Sequence, residues 1–256
     1  MKILHSADIH LGSLAGDLSF DESGLLSRVK IGLDTLEYII HYANHTDKCD
    51  VIVLAGDVFD VSSPSTRLLH EFNIRINKTR IPIILVLGQH ELPKSKRGYH
   101  AFPIIEHSNP LLSIVSQPKA VEHNKQKFVC VPFSYQMLIE NKWQFLNKYL
   151  IDNSTKDSVI IMHYPFSGTK LSTGYTLDDG LPKAVFNRVK YKIVMLGDNH
   201  TQQCLGQNIF YSGSAVYTSR SEIKPRGFYI HDLGRETHDF IEMDIKPLQE
   251  LFKPIK

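Results

Sequence analysis

Cysteine is scarce in this chain of 256 residues. Cys49, Cys130 and Cys204 are the only three, and no two of them form a C-x-x-C pair. That excludes a disulfide scaffold and a thiolate metal site, and it fits a reducing, cytoplasmic compartment. Long hydrophobic runs are missing too, so the sequence offers no membrane-spanning helix. The opening residues MKILHSADIH lack the basic, apolar and small-residue succession of a signal peptide. Gly and Pro together are 27 of 256, too few for a collagen-like or low-complexity chain. Charge of one sign is nearly absent: 29 Lys and Arg against 27 Asp and Glu leave a net charge of +2. A basic coat for nucleic acid is therefore excluded, and any contact with DNA must be local.

What remains is an ordinary globular composition, conspicuous only for its 13 histidines. Short apolar, β-branched runs recur at residues 2–7, 51–55, 81–87, 128–131, 159–162, 192–196, 209–211 and 227–231. Continuous apolar runs of this length read as strands buried on both faces. Leu26, Val29, Leu33, Leu36 and Ile40 follow one another at spacings of 3 and 4, the stripe of an amphipathic helix. Residues 64–77 and 135–150 read as further helices, and a short one follows Pro182. Early strands alternate with helices, which predicts parallel βαβ units. Later strands are separated by Gly-containing turns, which predicts hairpins. The economical assembly is an α/β sandwich of two mixed sheets packed face to face, with helices outside.

The histidines acquire meaning from position. Five of the apolar runs each end in residues of metal-ligand type. KILHSA is followed by Asp8 and His10, and VIVLA by Gly56 and Asp57. IPIILVL leads into Gly88, Gln89, His90 and Glu91. VIIM is followed by His163, and KIVML by Gly197, Asp198 and His200. Singly, each is a turn, a cap or a structural histidine. Glu91 apart, they jointly place eight nitrogen and oxygen donors beyond the carboxyl ends of five strands, where α/β sheets bind ligands. A set of imidazole, carboxylate and amide without thiolate suits Mn²⁺, Fe²⁺, Zn²⁺ or Mg²⁺. It is large enough for two ions sharing a carboxylate, an arrangement that activates water and stabilises both oxygens of an in-line phosphoryl displacement.

D-x-H, G-D, G-x-H-E, a lone H and G-D-x-H in this order resemble the signature of the calcineurin-like metallophosphoesterases. Three stretches narrow the resemblance to the SbcD-type exonuclease subunit: HSADIHLG at 5–12, LAGDVFDVSSPS at 54–65, and YSGSAVYTSRSEIKPRGFYIHDL at 211–233. The resemblance implies a four-layer sandwich over residues 1–245, with 246–256 a tail where a DNA-capping domain would begin. It also implies DNA phosphodiester hydrolysis in repair and recombination, an SMC-like ATPase partner, a homodimer, and two divalent ions. Asp8, His10 and His200 would hold one ion, Asp57 would bridge, and Gln89, His163 and Asp198 would complete the second. His90 would assist the leaving oxygen, and Glu91 would orient that imidazole. Gly213 and Ser214 would lie beside the site on the substrate side.

Two positions depart from the family pattern, which has Asn where this chain has Gln89 and His where it has Asp198. The amide reaches further and the carboxylate less far, and the site gains a negative charge. That change favours hard, oxygen-loving ions, Mn²⁺ before Mg²⁺, over Zn²⁺ or Fe²⁺. Three functions stay open at this level: a DNA exonuclease or endonuclease, a hydrolase of other phosphate esters, and a DNA-binding scaffold with a degraded second site. The remaining nine histidines, His5 among them, read as surface or core residues. Lys94, Lys96 and Arg97 form one basic cluster that could meet a phosphodiester backbone at the rim, and Arg220, Lys224 and Arg226 form another.

Overall fold

The computed structural model describes residues 1–13, 19–22, 24–93, 102–134, 142–206, 208–220 and 222–245. Twelve strands are resolved among them, and they form two sheets of six. The first sheet has the order β12-β11-β1-β2-β3-β4. Its strands are β1 Lys2–Ser6, β2 Val51–Ala55, β3 Ile83–Val86, β4 Leu112–Val115, β11 Arg226–Asp232 and β12 Thr237–Met243. β1 to β4 run parallel, and β11 joins β1 antiparallel. The second sheet has the order β5-β6-β7-β8-β10-β9. It comprises β5 Lys119–His123, β6 Gln126–Val131, β7 Val159–His163, β8 Ile193–Gly197, β9 Gln203–Cys204 and β10 Ile209–Tyr211.

Strand alternation divides the apolar side chains between two faces. From the first sheet, Ile3, Val51, Val53, Ile84 and Val86 point inward and meet Phe128, Val159, Ile161, Ile193 and Met195 of the second. The outward face of the first sheet, with Leu4, Ile52, Leu54 and Leu85, is covered by α1 (Ser27–His41) and α2 (Thr66–Ile76). The outward face of the second, with Val129, Ile160, Met162 and Val194, is covered by α4 (Trp143–Asn153) and a 3₁₀ turn at Lys183–Phe186. A short α3 lies at Pro103–Glu106. The expected two-sheet sandwich with outer helices is therefore observed. Both sheets are apolar on both faces, which is why their strands read as unbroken apolar runs.

The predicted α1 stripe buries Val29, Leu33, Leu36 and Ile40. Gly32 sits on that face because a Cβ there would lie 2.7 Å from Leu11 Cδ2. α2 starts later than its sequence pattern: Ser65 caps it, its hydroxyl accepting from Leu68 N at 3.2 Å, and Pro64 lies before the cap. Such a cap stabilises a helix by about 1 kcal/mol. The described part of the 135–150 prediction begins at 142, and the helix runs on to Asn153. No helix among the described residues is long and apolar enough to cross a membrane.

Between the sheets lies a row of histidines. His5 and His231 are buried, and His238 is half-buried at the edge strand β12. His5 Nε2 lies 3.2 Å from the Leu196 carbonyl, which can only accept, so that nitrogen carries the proton. His5 Nδ1 must then accept from His231 Nε2 at 3.3 Å, and His231 Nδ1 accepts from His238 Nδ1 at 3.0 Å. Burial, partly offset by the Leu196 hydrogen bond, pushes His5 down to about 3. Burial and the neighbouring His5 push His231 well below its usual value. Between about pH 6.5 and about pH 3 the unfolded chain therefore binds protons that the folded chain refuses. Stability is full above about pH 6.5 and falls with acidification, by about 1.4 kcal/mol per pH unit for each such histidine. Urea unfolding at about pH 7.5, 6 and 5 should show this slope, and His231→Gln should reduce it by about one proton. An unchanged slope in the variant would contradict the assignment.

Candidate metal centre

The carboxyl ends of β1, β2 and β3 from one sheet and of β7 and β8 from the other open onto the same crevice. Asp8, His10, Asp57 and Asp198 all stand there with φ values of 54°, 51°, 49° and 92°. Non-glycine residues held in the left-handed region cost about 1–3 kcal/mol each, and such strain concentrates at functional sites. Close interstrand hydrogen bonds hold these turns: Asp8 N donates to Gly56 O and His10 N to Asp57 O, both at 3.0 Å. Asp198 N donates to Asp8 Oδ2 at 3.1 Å, tying one sheet's ligand turn to the other's.

Two donor groups face each other across this floor. Asp8, His10 and His200 form one, and Asp8, Asp57 and His163 form the other, each with donor atoms within 4.8 Å of one another. Asp198 adds Oδ1 at 3.9 Å from His163 Nε2. The tautomers are fixed from behind. His163 Nδ1 lies 2.7 Å from the Ala55 carbonyl, so in the neutral ring it carries the proton and Nε2 is a bare lone pair. That Nε2 is buried without a hydrogen bond, 3.3 Å from Asp57 Oδ2, where two acceptors would repel. His10 Nδ1 lies 2.9 Å from Asp60 Oδ1, and His200 Nδ1 lies 3.2 Å from Glu222 Oε1. Both rings then aim lone pairs at each other, with Nε2 to Nε2 at 3.2 Å. Lone pairs converging with buried carboxylates call for cations between them, so these residues fit two metal ions. The donors are imidazole nitrogen and carboxylate oxygen, a set suited to Mn²⁺, Fe²⁺, Zn²⁺ or Mg²⁺.

The pocket attracts positive charge, a proton or a cation: burial lowers His163, but Asp57, Asp8 and Asp198 outweigh it and raise His163 well above its usual value. Burial raises Asp8, against the pull of His163 and His200. Burial, with Asp8 and Asp57 nearby, carries Asp198 up to about 6 although His163 opposes it. At Asp57 burial is outweighed by His163, His10 and His90, which draw it down to about 2. His200 is raised: its burial is outweighed by Glu222 and Asp8.

His90 stands at the edge, its side chain 39% exposed. Its Nδ1 lies 3.2 Å from Asp60 Oδ1, and its Nε2 lies 3.8 Å from Asp57 Oδ2. The Asp60 hydrogen bond, against burial and with Asp57 helping, raises His90 to about 9. Gln89 and His90 line a cleft of about 580 Å³ together with Asp60, Val61, Ser62, Ser63, Leu92 and Pro93. The Gln89 side chain is half-buried at the wall of this cleft.

Several sequence expectations are corrected by this geometry. Glu91 does not orient the His90 ring. It is fully buried, and its two oxygens accept from the backbone N–H of Asp57, Val58, Phe59 and Gly88 at 2.6–3.1 Å. It pins the β2 and β3 ligand turns together, and Asp60 is the carboxylate at the His90 ring. Ser214 faces inward, not toward substrate: it is 1% exposed and its hydroxyl donates to Val216 O at 2.7 Å. Gly213 is buried against Gln202 N, with φ 76°. Arg226 is no rim cation, being buried and ion-paired with Glu222 at 2.8 Å. Arg220 and Lys224 are exposed. Lys94, Lys96 and Arg97 lie outside the described residues. Asp60 and Glu222 went unread in the sequence. Asp60 had a signal, the F-D that follows G-D in LAGDVFD, while Glu222 had none in spacing.

Gly56 shows why a residue without Cβ precedes a ligand. It has φ 93°, and a Cβ there would overlap His163 Nδ1. Gly56→Ala should cost about 2–4 kcal/mol, combining left-handed backbone with overpacking. Gly168→Ala is the control, with φ 82° but nothing within 4 Å of its Cβ. Denaturant midpoints should separate the two, and equal losses would contradict the His163 clash.

Comparison with known proteins follows the same lines. The family model for calcineurin-like phosphoesterases matches residues 1–202. The SbcD component of the SbcCD nuclease of Staphylococcus epidermidis is 29% identical, over 98% of this chain and 71% of its own length. A DNA double-strand break repair protein Mre11 of Methanococcus maripaludis is 26% identical, over 98% of this chain and 66% of its own. A solved dimetal phosphatase from Danio rerio aligns with a TM-score of 0.54 at 12% identity, covering 90% of this chain and 91% of that one. This last likeness speaks to fold alone.

Proposed function

The chain belongs to the calcineurin-like phosphoesterase family and is a phosphoester hydrolase, and from that premise we propose that it cleaves the phosphodiester backbone of DNA with two divalent ions. The observation that carries the choice of DNA is the likeness, along 98% of the chain, to a component of a nuclease and to a DNA break-repair protein. In this reading Asp8, His10 and His200 would hold one ion, Asp57 would serve both, and His163, Asp198 and Gln89 would hold the other. When bound, the two ions supply water activation and neutralise charge on the phosphoryl oxygens. The protein supplies the rest. Asp60 and Glu222 keep His10 and His200 in the tautomer that presents Nε2. Glu91 holds the turns that carry Asp57 and Gln89. Asp60 also holds the Nδ1 proton of His90, leaving Nε2–H to be delivered to the departing sugar oxygen. The exposed face of His90 and the adjoining cleft admit a polymer strand, and Arg220 and Lys224, with Lys94, Lys96 and Arg97, are the cations for its phosphates.

Asp198 makes the site one carboxylate richer than the pattern it resembles, which favours Mn²⁺ over Zn²⁺. The unit is residues 1–245. The match to one component of SbcCD supports an SMC-like ATPase partner, and the family resemblance supports a homodimer and action in a cytoplasmic repair complex. The test is digestion of linear duplex DNA with Mn²⁺, compared with a nitrophenyl phosphodiester. Shortening of DNA, lost with a chelator, is expected. Turnover of the small ester alone would assign another phosphate substrate. DNA binding without turnover in Mn²⁺, Mg²⁺ and Zn²⁺ would leave a scaffold.

A further inference from the structure

His200 is held from behind by the 217–226 loop. Glu222, 2% exposed, accepts the His200 Nδ1–H through Oε1 at 3.2 Å. The Thr218 hydroxyl lies 2.8 Å from the same nitrogen and donates to Oε1 at 2.9 Å. Oε2 accepts from the backbone N–H of Thr218 at 2.6 Å and of Ser219 at 3.2 Å. It also pairs with Arg226 Nη2 at 2.8 Å, and Arg226 Nη1 returns to the His200 carbonyl at 2.5 Å. The Arg226 guanidinium covers the Tyr217 ring, 4.8 Å from its centroid. One buried carboxylate thus gathers both ends of the 217–226 loop onto a single imidazole. Between those ends the loop presents Arg220, Ile223 and Lys224 to solvent, Ile223 being 73% exposed.

We propose that Glu222 is a positioning residue that couples metal occupancy at His200 to the order of the 217–226 loop, so that the rim cations are set in place when the metal centre is filled. The inference rests on the two-metal reading above. Its physical basis is that a carboxylate behind a ligating histidine strengthens the ligand, and that the bond linking them strengthens in return. Such coupling is reciprocal: an ordered loop must tighten metal binding by the same factor that metal tightens the loop. Asn199, between the two ligands of its turn, holds the neighbouring wall. Its amide donates to Thr169 Oγ1 at 3.1 Å and to Lys170 O at 3.0 Å. These contacts involve no ligand ring, so that wall serves as an internal comparison.

The experiment uses the full chain stripped of metal and titrated with Mn²⁺, without DNA. Mn²⁺ affinity is read by calorimetry, and amide hydrogen exchange is followed in 217–226 and in 165–177. Mn²⁺ should slow exchange in 217–226 more than in 165–177. Glu222→Ala should weaken Mn²⁺ binding about 10- to 100-fold and abolish the metal-dependent protection. Glu222→Gln, which keeps an acceptor for His200 but not the charge opposite Arg226, should recover part of both. If Glu222→Ala fails to show a native thermal transition, the wild type and the Gln variant decide. Wild-type Mn²⁺ binding without added protection in 217–226, or an Ala variant with unchanged affinity, would overturn the coupling and leave the two-metal reading intact. A wild type that binds no Mn²⁺ would overturn both.

Discussion

Asp57→Asn should lose at least about three orders of magnitude in phosphodiester hydrolysis and should bind fewer metal ions than the wild type. Asp57 is the carboxylate that the proposed ligand set shares between the two ions. Its Oδ2 faces His163 Nε2 at 3.3 Å, its Oδ1 accepts from His90 N at 2.9 Å, and its own backbone is held by Glu91. Asn keeps the shape and the His90 N–H contact but removes a buried charge from the Asp8, Asp57 and His163 group, the one proposed to serve both ions. A metal pair contributes several kcal/mol of transition-state charge stabilisation, and about 4 kcal/mol corresponds to three orders of magnitude. The measurement is kcat on a nitrophenyl phosphodiester beside Mn²⁺ stoichiometry by equilibrium dialysis. Wild-type stoichiometry with wild-type kcat would remove Asp57 from its bridging role.

His90→Gln separates proton delivery from metal holding. His90 belongs to neither of the donor groups that contain Asp8, and its raised pKa keeps it protonated at neutral pH. Its loss should lower kcat on DNA by about 10²- to 10⁴-fold, the usual contribution of a positioned acid, with Mn²⁺ stoichiometry unchanged. A nitrophenyl ester departs as a stabilised anion and needs no proton, so the same variant should lose far less on it. Equal losses on the two substrates would mean that His90 acts on binding or metal, not on the leaving oxygen. Asp60→Asn should instead lower activity on both substrates and weaken Mn²⁺ binding, because Asp60 holds the proposed ligand His10 as well as His90.

Much of the fold is legible because its strands are buried on both faces. Apolar runs alone mark β2 and β10 with their observed bounds. β12 escapes because Thr237, His238, Asp239 and Glu242 break its apolar run, and it lies at an edge of its sheet. β5, also an edge strand, is largely exposed. The site is legible where function lies at strand ends, since six of the seven expected metal ligands meet at the described floor. The residues behind them are not. Glu91 neighbours His90 in sequence, yet its side chain turns inward to four backbone N–H groups that only the folded turns bring together. Glu222 lies 22 residues from His200, and no periodicity links them. Three of the nine histidines outside the ligand pattern have a place that spacing does not show: His5, His231 and His238 hydrogen-bond to one another between the sheets.

The central claim is a pair of ions held by this set of side chains. Anomalous diffraction at the manganese edge from crystals grown with Mn²⁺ tests it most directly. The account predicts two peaks, one bounded by Asp8, His10, His200 and Asp57, the other by Asp57, His163, Asp198 and Gln89. A single peak, or density bounded by other residues, would contradict it.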